Sequence, residues 1–368
     1  MEVAWLVVAG FTASAKNGWF PHLFGEKSEL TLSMRTRKHF IALAGLFLCT
    51  GTWGQQATVN SNATPESLVR TIRITGDPAI AKLLTAWEQQ FRAEHPEVTF
   101  ANRLTGPASS MAGLYTGTAD LAFAGHELLT SESMAFEWIF HYKALPIEVS
   151  SGSLDGSNFA PVFFVTASNP LSALTLVQAD SVLGCEHRVR GKVVRRWGDL
   201  GLTGEWADKP IHLYGFNPES ETGVFIRRKL LKNNYKWNCE IKTFGGLTHG
   251  DADSASKEIL QALRADRYGL AISNVRYTNN DLKTIPLARD DESQPVALSA
   301  ENIVAGQYPL ARPFYVYVNR NPGNRADDAV SAFLRLVLSK EGQQQVADSG
   351  TFLPLNDAVA HEQAGKLE

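Results

Sequence analysis

The sequence predicts an α/β protein of two lobes, each built on a mixed, mostly parallel sheet. Three observations carry this expectation. Runs rich in β-branched residues alternate with segments whose apolar residues recur at helical spacing, the pattern of sheets covered by helices. A third strand–loop–helix unit, at residues 211–223, repeats the polar loop chemistry of the first two. Two long apolar runs, Phe159–Thr166 and Pro313–Asn319, suit strands at which the chain crosses into a second lobe and returns.

The chain has 368 residues, enough for two ordinary domains with separate cores. Apolar residues make up 44% and charged residues 20%, the balance of a soluble globular protein. Net charge is −3, and no basic block is interleaved with aromatics, so nucleic acid is not an expected partner.

The N-terminal region reads as a targeting segment. Arg35, Arg37 and Lys38 precede the apolar run Phe40–Leu48, which suits a secretory signal and is too short to span a bilayer as a stable helix. Met34 offers an alternative start, and small residues lead to a plausible cleavage point after Gly54. Residues 1–54 are thus an upstream extension and signal peptide, 55–67 a polar flexible leader, 68–158 with 314–368 lobe one, and 159–313 lobe two. A periplasmic location follows. Cys49 is a poor lipidation site because bulky Leu48 precedes it. Cys185 and Cys239 then remain, either as one disulfide or as two thiols. Removal of residues 1–54 takes Lys16, Lys27, Arg35, Arg37 and Lys38 against Glu2, Glu26 and Glu29, leaving a more acidic remainder. Any anion site must therefore be made by local donors.

The folded region opens with the strand Leu68–Ile74 and the turn Thr75-Gly76-Asp77-Pro78. A helix follows, with Ile80, Leu83, Leu84, Trp87 and Phe91 on one face, and His95-Pro96 stops it. Val98–Phe100 is the next strand. Gly106–Ser110 leads into a helix through Met111, Leu114 and Tyr115, and Gly117–Asp120 turns into the strand Leu121–Ala124. A helix near Ser133–Tyr142 and the strand Ile147–Val149 complete the first pass. Beyond the crossing come a helix at Leu176–Leu183, the segment Trp197–Leu200, the strand Ile211–Tyr214, helices from about Ser220 and Ser254, and a strand at Tyr268–Ile272. After the return, an amphipathic helix carries Val330, Phe333, Leu334 and Val337 and continues through Glu341–Ala347, with Phe352–Leu355 closing the chain.

Three loops share one chemistry: Thr75-Gly76-Asp77, Ser109-Ser110, and Ser220-Glu221-Thr222-Gly223 after the turn Gly215–Pro218. Each places hydroxyls beside the backbone N–H groups of a helix start, which favour negative charge. Glycine permits close backbone approach. Each loop is also explicable as an ordinary helix cap. Gly125-His126-Glu127 ends the Leu121–Ala124 strand and is therefore also expected to point toward a cleft between the lobes. Glu127 either accepts a ligand proton or pairs with a cation, and His126 either donates to an oxyanion or is solvated. Asp77 either accepts a ligand proton or caps its helix.

These landmarks, with Gly117–Ala124, Asn169-Pro170-Leu171, Trp197–Leu200, Tyr268–Ala271, Leu338–Gly342 and Leu353–Leu355, resemble the periplasmic phosphate-binding proteins of bacterial ABC uptake systems. The resemblance spans about residues 68–358 and lies within the type II solute-binding superfamily. It implies a two-lobed clamshell, a monomer, that captures phosphate or a similar oxyanion without metal or cofactor and docks on a membrane permease. By position, Thr75, Ser109, Ser110, Ser220 and Thr222 match the family's donors, and Asp77 its carboxylate. Gly76, His126, Glu127, Asn217 and Glu221 complete the expected site. Two departures remove fixed positive charge. Gly125-His126 stands where the family often has Ser-Arg, and Phe216-Asn217 precedes Ser220 where an arginine is usual. Losing a guanidinium fork is not a mild change. Arg73, Arg227 and Arg276 are the candidates to replace it.

No catalytic residues are expected. The chain lacks a phosphate-binding Gly-x-x-x-x-Gly-Lys-Ser/Thr loop, a Gly-x-Ser-x-Gly elbow and a His-Glu-x-x-His metal motif. A binder of another small polar solute, or a sensor or interaction protein using the same clamshell, remains the alternative.

Overall fold

The structure is a computed structural model that describes residues 69–368, apart from 157, 186–187, 190–191, 233 and 247–250. The signal peptide, Cys49 and the whole leader lie outside the described residues.

The first sheet takes four strands from the start of the described chain, β1 (Arg70–Gly76), β2 (Val98–Arg103), β3 (Leu121–Ala124) and β4 (Leu145–Ser150). Its fifth strand comes from far along the sequence, β14 (Phe314–Val318), in the order β2-β1-β3-β14-β4. The second sheet has the order β10-β9-β11-β5-β12, from β5 (Val162–Thr166), β9 (His212–Phe216), β10 (Lys242–Phe244), β11 (Gly269–Ser273) and β12 (Leu282–Ile285). Two further short pairs are β6 (Leu174–Thr175) with β13 (Leu287–Ala288), and β7 (Arg188–Val189) with β8 (Lys192–Val193).

Both sheets are mixed in the same way. β1 runs parallel to β2 and β3, whereas β14 is antiparallel to β3 and β4. β9 runs parallel to β10 and β11, whereas β5 is antiparallel to β11 and β12. The reversed strand in each sheet is the one that arrives from the other, so the two apolar runs read as crossings are the strands of opposite direction. Each is buried along almost its whole length, which explains why neither alternates apolar with polar.

Ten helices cover the sheets among the described residues: α1 (Ala81–Glu94), α2 (Pro107–Tyr115), α3 (Thr130–Phe140), α4 (Leu176–Leu183), α5 (Glu221–Leu230), α6 (Asp251–Arg264), α7 (Ala300–Val304), α8 (Asp328–Leu338), α9 (Lys340–Asp348) and α10 (Asp357–Gly365). One core gathers Ile72, Trp87, Phe123, Val316 and Phe333 around the first sheet. A separate core gathers Phe163, Trp197, Ile226, Leu260 and Ile272 around the second. A smaller cluster, including Met111, Phe136, Tyr315 and Tyr317, lies on the other face of the first sheet.

The structure changes three local expectations. The helix expected to run on through Glu341–Ala347 breaks at Ser339, whose side chain caps α9 by accepting from the Gly342 N–H at 3.1 Å. Chain closure does not end at Leu355: Asn356 caps α10. The edge strands β10 and β12 escaped notice because each is short, lying at a sheet margin with partly solvated side chains. Cys185 and Cys239 are both free thiols. No helix among the described residues is long and apolar enough to cross a membrane.

The turn before β3 is fastened electrostatically. The Asp120 carboxylate accepts from the Arg73 backbone N–H at 2.8 Å and from Arg73 Nη2 at 2.9 Å, with Arg70 3.4 Å away. Burial alone would raise the Asp120 carboxyl, but these hydrogen bonds and charges bring it below its ordinary value. A depressed carboxyl stabilises the fold above its unfolded value and ceases to do so as pH falls through the folded value. Asp120→Asn should therefore be less stable than the parent well above pH 3.8, with the gap closing as the pH drops below that value. Urea unfolding across this range checks it, and a pH-independent gap would remove the charge explanation.

Candidate ligand-binding site

The loops at the ends of β1 and β3 are built by close backbone approach. A side-chain carbon on Gly76 would lie 2.8 Å from both Cβ and O of Phe123. Asp77 donates its N–H to Phe123 O at 3.1 Å, and Gly106 donates to Gly76 O at 3.1 Å. Gly106 has φ +126°, a conformation that favours glycine. The Thr75 hydroxyl donates to Ser110 O at 2.9 Å, and the Ser110 hydroxyl to Phe123 O at 3.0 Å. Ser109 Oγ donates to Gly106 O and shares a hydrogen bond with Thr105 Oγ1, both at 2.8 Å. Asp77 is buried and caps the turn Pro78–Ile80, accepting from Ala79 N–H at 2.9 Å. These hydroxyls thus hold the loops to one another, and each would have to release a carbonyl before donating to an anion.

The third loop opens onto a cavity of about 190 Å³. Ser220 accepts from the Gly223 N–H at 3.1 Å and donates to Asn217 O at 2.7 Å, while Asn217 Oδ1 accepts from Glu219 N–H at 3.0 Å. The turn packs so tightly on α5 that a side-chain carbon on Gly223 would sit 2.1 Å from Asn217 O. Ser220, Glu221 and Thr222 line the cavity. Thr222 is 2% exposed, and its hydroxyl has no hydrogen bond among the described residues. The start of an α-helix also directs N–H groups outward with a favourable field for negative charge.

Two guanidinium groups reach the same cavity, Arg276 and Arg312. Arg312 is 2% exposed and donates from Nη2 to Glu221 Oε1 at 2.7 Å. Its guanidinium lies 5.1 Å from the centre of the Phe225 ring. Its backbone is locked between the crossings, since Asn158 Nδ2 donates to Arg312 O at 2.8 Å. Burial lowers its pKa, opposed by the charges of Glu221 and Asp77; arginine starts so high that it keeps its charge. Its Nε is buried without a hydrogen-bond partner among the described residues. Arg276 pairs with Asp253 at 3.2 Å and lies 4.0 Å from Asp155. Asp251 and Asp253 also line the cavity, while Phe159, Phe216 and Phe244 supply apolar wall.

The structure therefore brings Ser220, Glu221 and Thr222 into one cavity and links Asp77 to it through Arg312. Thr75, Gly76, Ser109, Ser110 and Asn217 are not among the residues that line it. His126 and Glu127 do not line it either; with Glu221 they border a separate small cavity of about 20 Å³. His126 Nε2 is 3.0 Å from Glu132 Oε2, and Glu127 pairs with Lys229 at 3.0 Å. Of the candidate cations, Arg73 is held by Asp120, and Arg227 is buried against the Tyr235 ring at 3.6 Å. Arg276 does line the cavity. Arg312 went unnoticed in the sequence; its one signal is an arginine directly before the returning strand and a proline.

The chain is 32% identical over 294 residues, 79% of its length, to the phosphate-binding protein PstS of Pseudomonas aeruginosa, covering 85% of that protein. This chain belongs to the PBP superfamily, as a type II solute-binding protein homologous to phosphate-binding proteins. Residues 160–341 match the PBP superfamily domain. Protein SphX of Synechococcus elongatus is 21% identical over 273 residues, 73% of each chain. PstS from Borrelia burgdorferi shares the fold, with a TM-score of 0.53 at 14% identity, covering 78% of this chain and 99% of that one. A solute-binding protein of the ABC-transporter type binds its solute without transforming it and partners a membrane permease.

Gly223→Ala should push the 217–220 turn off the start of α5 and destabilise the fold by roughly 1–3 kcal/mol, as overpacking does. Chemical denaturation measures this; unchanged stability would show that the turn has room to move.

Proposed function

We propose that this solute-binding protein captures inorganic phosphate, or a closely similar oxyanion, in the periplasm for an ABC uptake transporter. The observation that carries the proposal is Arg312. A buried guanidinium, the Thr222 hydroxyl and the start of α5 converge on one small cavity, a donor set suited to an oxyanion. Arg312 approaches from the returning crossover, so it restores the positive charge missing at Phe216-Asn217 and Gly125-His126. Glu221, held at 2.7 Å from Arg312, serves as the acceptor for a protonated oxygen. Homology to phosphate-binding proteins supports the same ligand.

Capture follows from two lobes, residues 68–158 with 314–368 and residues 159–313, closing on the ligand. Asp77, Thr75, Ser109 and Ser110 belong to the first lobe and complete the contacts on closure, when an anion competes for hydroxyls now given to carbonyls. Ligand contacts shift the open–closed balance by their differential affinity for the closed state. The sequence before residue 55 directs export.

Calorimetric titration of the mature, ligand-stripped protein with phosphate, sulfate and small organic solutes tests the ligand. Phosphate should bind saturably, and Arg312→Met should weaken it at least about tenfold, equivalent to about 1.4 kcal/mol. Tight binding of another solute with no saturable phosphate binding would overturn the proposal.

A closed arrangement would have a second fastening. Arg228 on α5 donates from Nη1 to Glu127 O at 2.9 Å and from Nη2 to Leu128 O at 2.6 Å, beside the Lys229–Glu127 pair. One helix thus reaches the ligand cavity at its start and the first lobe at its end. Arg228→Ala combined with Lys229→Ala should expand the phosphate-loaded protein in small-angle X-ray scattering and weaken phosphate several-fold. Unaltered scattering and affinity would show that these contacts do not hold closure.

A further inference from the structure

A second cleft, of about 440 Å³, lies beside the edge strand β4. It shares none of its lining with the cavity at α5. Its floor comes from adjacent strands. Glu148 stands opposite Tyr315 and Pro146 opposite Tyr317 in the antiparallel register, which brings the paired side chains to the same face of the sheet.

Two polar groups of this floor have no hydrogen-bond partner for their side chains among the described residues. The Glu148 carboxylate makes no hydrogen bond or ion pair among the described residues, although its backbone N–H is tied to Gln363 Oε1 at 3.0 Å. Tyr315 is 8% exposed, and its hydroxyl likewise has no hydrogen bond among them. Tyr317 differs: its hydroxyl donates to His126 O and accepts from the Leu128 N–H, both at 3.1 Å, which fixes that ring as a wall. The two tyrosine rings lie 5.9 Å apart, inclined at 31°.

The lining carries both signs of charge. Glu127 is occupied by Lys229, which leaves Glu148 as the acid open to a ligand. Lys143 is exposed at the margin, and half-buried Lys366 extends from the end of α10, hydrogen-bonded to Gln363 at 2.9 Å and 3.7 Å from the Glu362 carboxylate, a longer and weaker pair than Lys229 with Glu127. Leu128, Ala144 and Pro146 provide apolar surface between them. A carboxylate beside a phenol and aromatic faces suits an ammonium group. Lysines at the margin suit an acid group.

We propose that this cleft binds a small zwitterion of the amino-acid class. Glu148 and Tyr315 receive the ammonium group, Lys143 and Lys366 receive the carboxylate, and the short carbon frame lies on Leu128, Ala144 and Pro146. Burial, opposed by the Lys366 charge, raises the Glu148 carboxyl above its ordinary value. That is the condition in which an incoming ammonium gains most by restoring the ionised form.

The test uses the mature, full-length folded chain and glycine, alanine, leucine and lysine as probes, followed by calorimetry and by chemical-shift perturbation. Leucine is compared with 3-methylbutylamine, which lacks its carboxylate, and 4-methylpentanoate, which lacks its ammonium group. At least one amino acid should bind saturably. For leucine, both half-analogues should bind at least tenfold more weakly if leucine is the best probe; the amine and acid of whichever probe binds best are compared in the same way. Glu148→Gln and Tyr315→Phe are near-isosteric, and each should weaken that probe about tenfold or more while phosphate titrations stay unchanged. Absence of saturable binding by all four probes at millimolar concentration would overturn the proposal. So would equal binding of the amine analogue, or full retention of affinity in both variants. The phosphate titration is a separate readout, so failure at one cleft is distinguishable from failure at the other.

Discussion

Burying a guanidinium costs several kcal/mol of hydration unless a carboxylate and further hydrogen bonds compensate it. Arg312 meets part of that demand with Glu221 at 2.7 Å, a nearby Phe225 ring and the charge of Asp77, while its Nε has no hydrogen bond among the described residues. The partners come from both sides of the crossover. Asp77 follows the first strand of one sheet, Glu221 opens a helix beside the other, and Arg312 occupies the segment that returns between them. The local arrangement at the cavity therefore depends on the two crossing segments running together, which Asn158 secures by its bond to Arg312 O. A charge placed this way is expensive to move and hence well suited to a fixed binding contact.

The carboxylates around that charge shape what it can recognise. Glu221, Asp251 and Asp253 line the cavity alongside Arg276 and Arg312, so bulk attraction of an anion is weak and short-range donors must do the selecting. Glycine makes those donors possible. Gly223 lets the Asn217–Ser220 turn press against α5, and Gly76 lets the first loop press against β3. Both positions exclude a side chain for steric reasons, independently of any ligand.

Much of the architecture was legible because local patterns and tertiary structure agree. The amphipathic face Leu83, Leu84, Trp87 and Phe91 is buried in α1, and the uniformly apolar runs became the buried crossing strands β5 and β14. Less legible were elements whose identity rests on partners. The edge strands β10 and β12 are defined by their neighbours' hydrogen bonds, and the break at Ser339 depends on a cap that competes with continued helix. At the site, Ser220 and Thr222 announced themselves as a helix start. Arg312 did not, because nothing local distinguishes an arginine aimed inward from one in solvent.

The sequence by itself determined the alternation of strands and helices, the two crossings and the positions of the polar loops, because periodicity and turn chemistry are local properties. Only the tertiary structure decided which loop lines the cavity, which hydroxyls are already given to carbonyls, and which arginines reach it. Those outcomes depend on groups far apart in the chain, such as Asp77, Glu221 and Arg312, being brought together where water is excluded. The energy of a charge is set by that surrounding, and no stretch of sequence contains it.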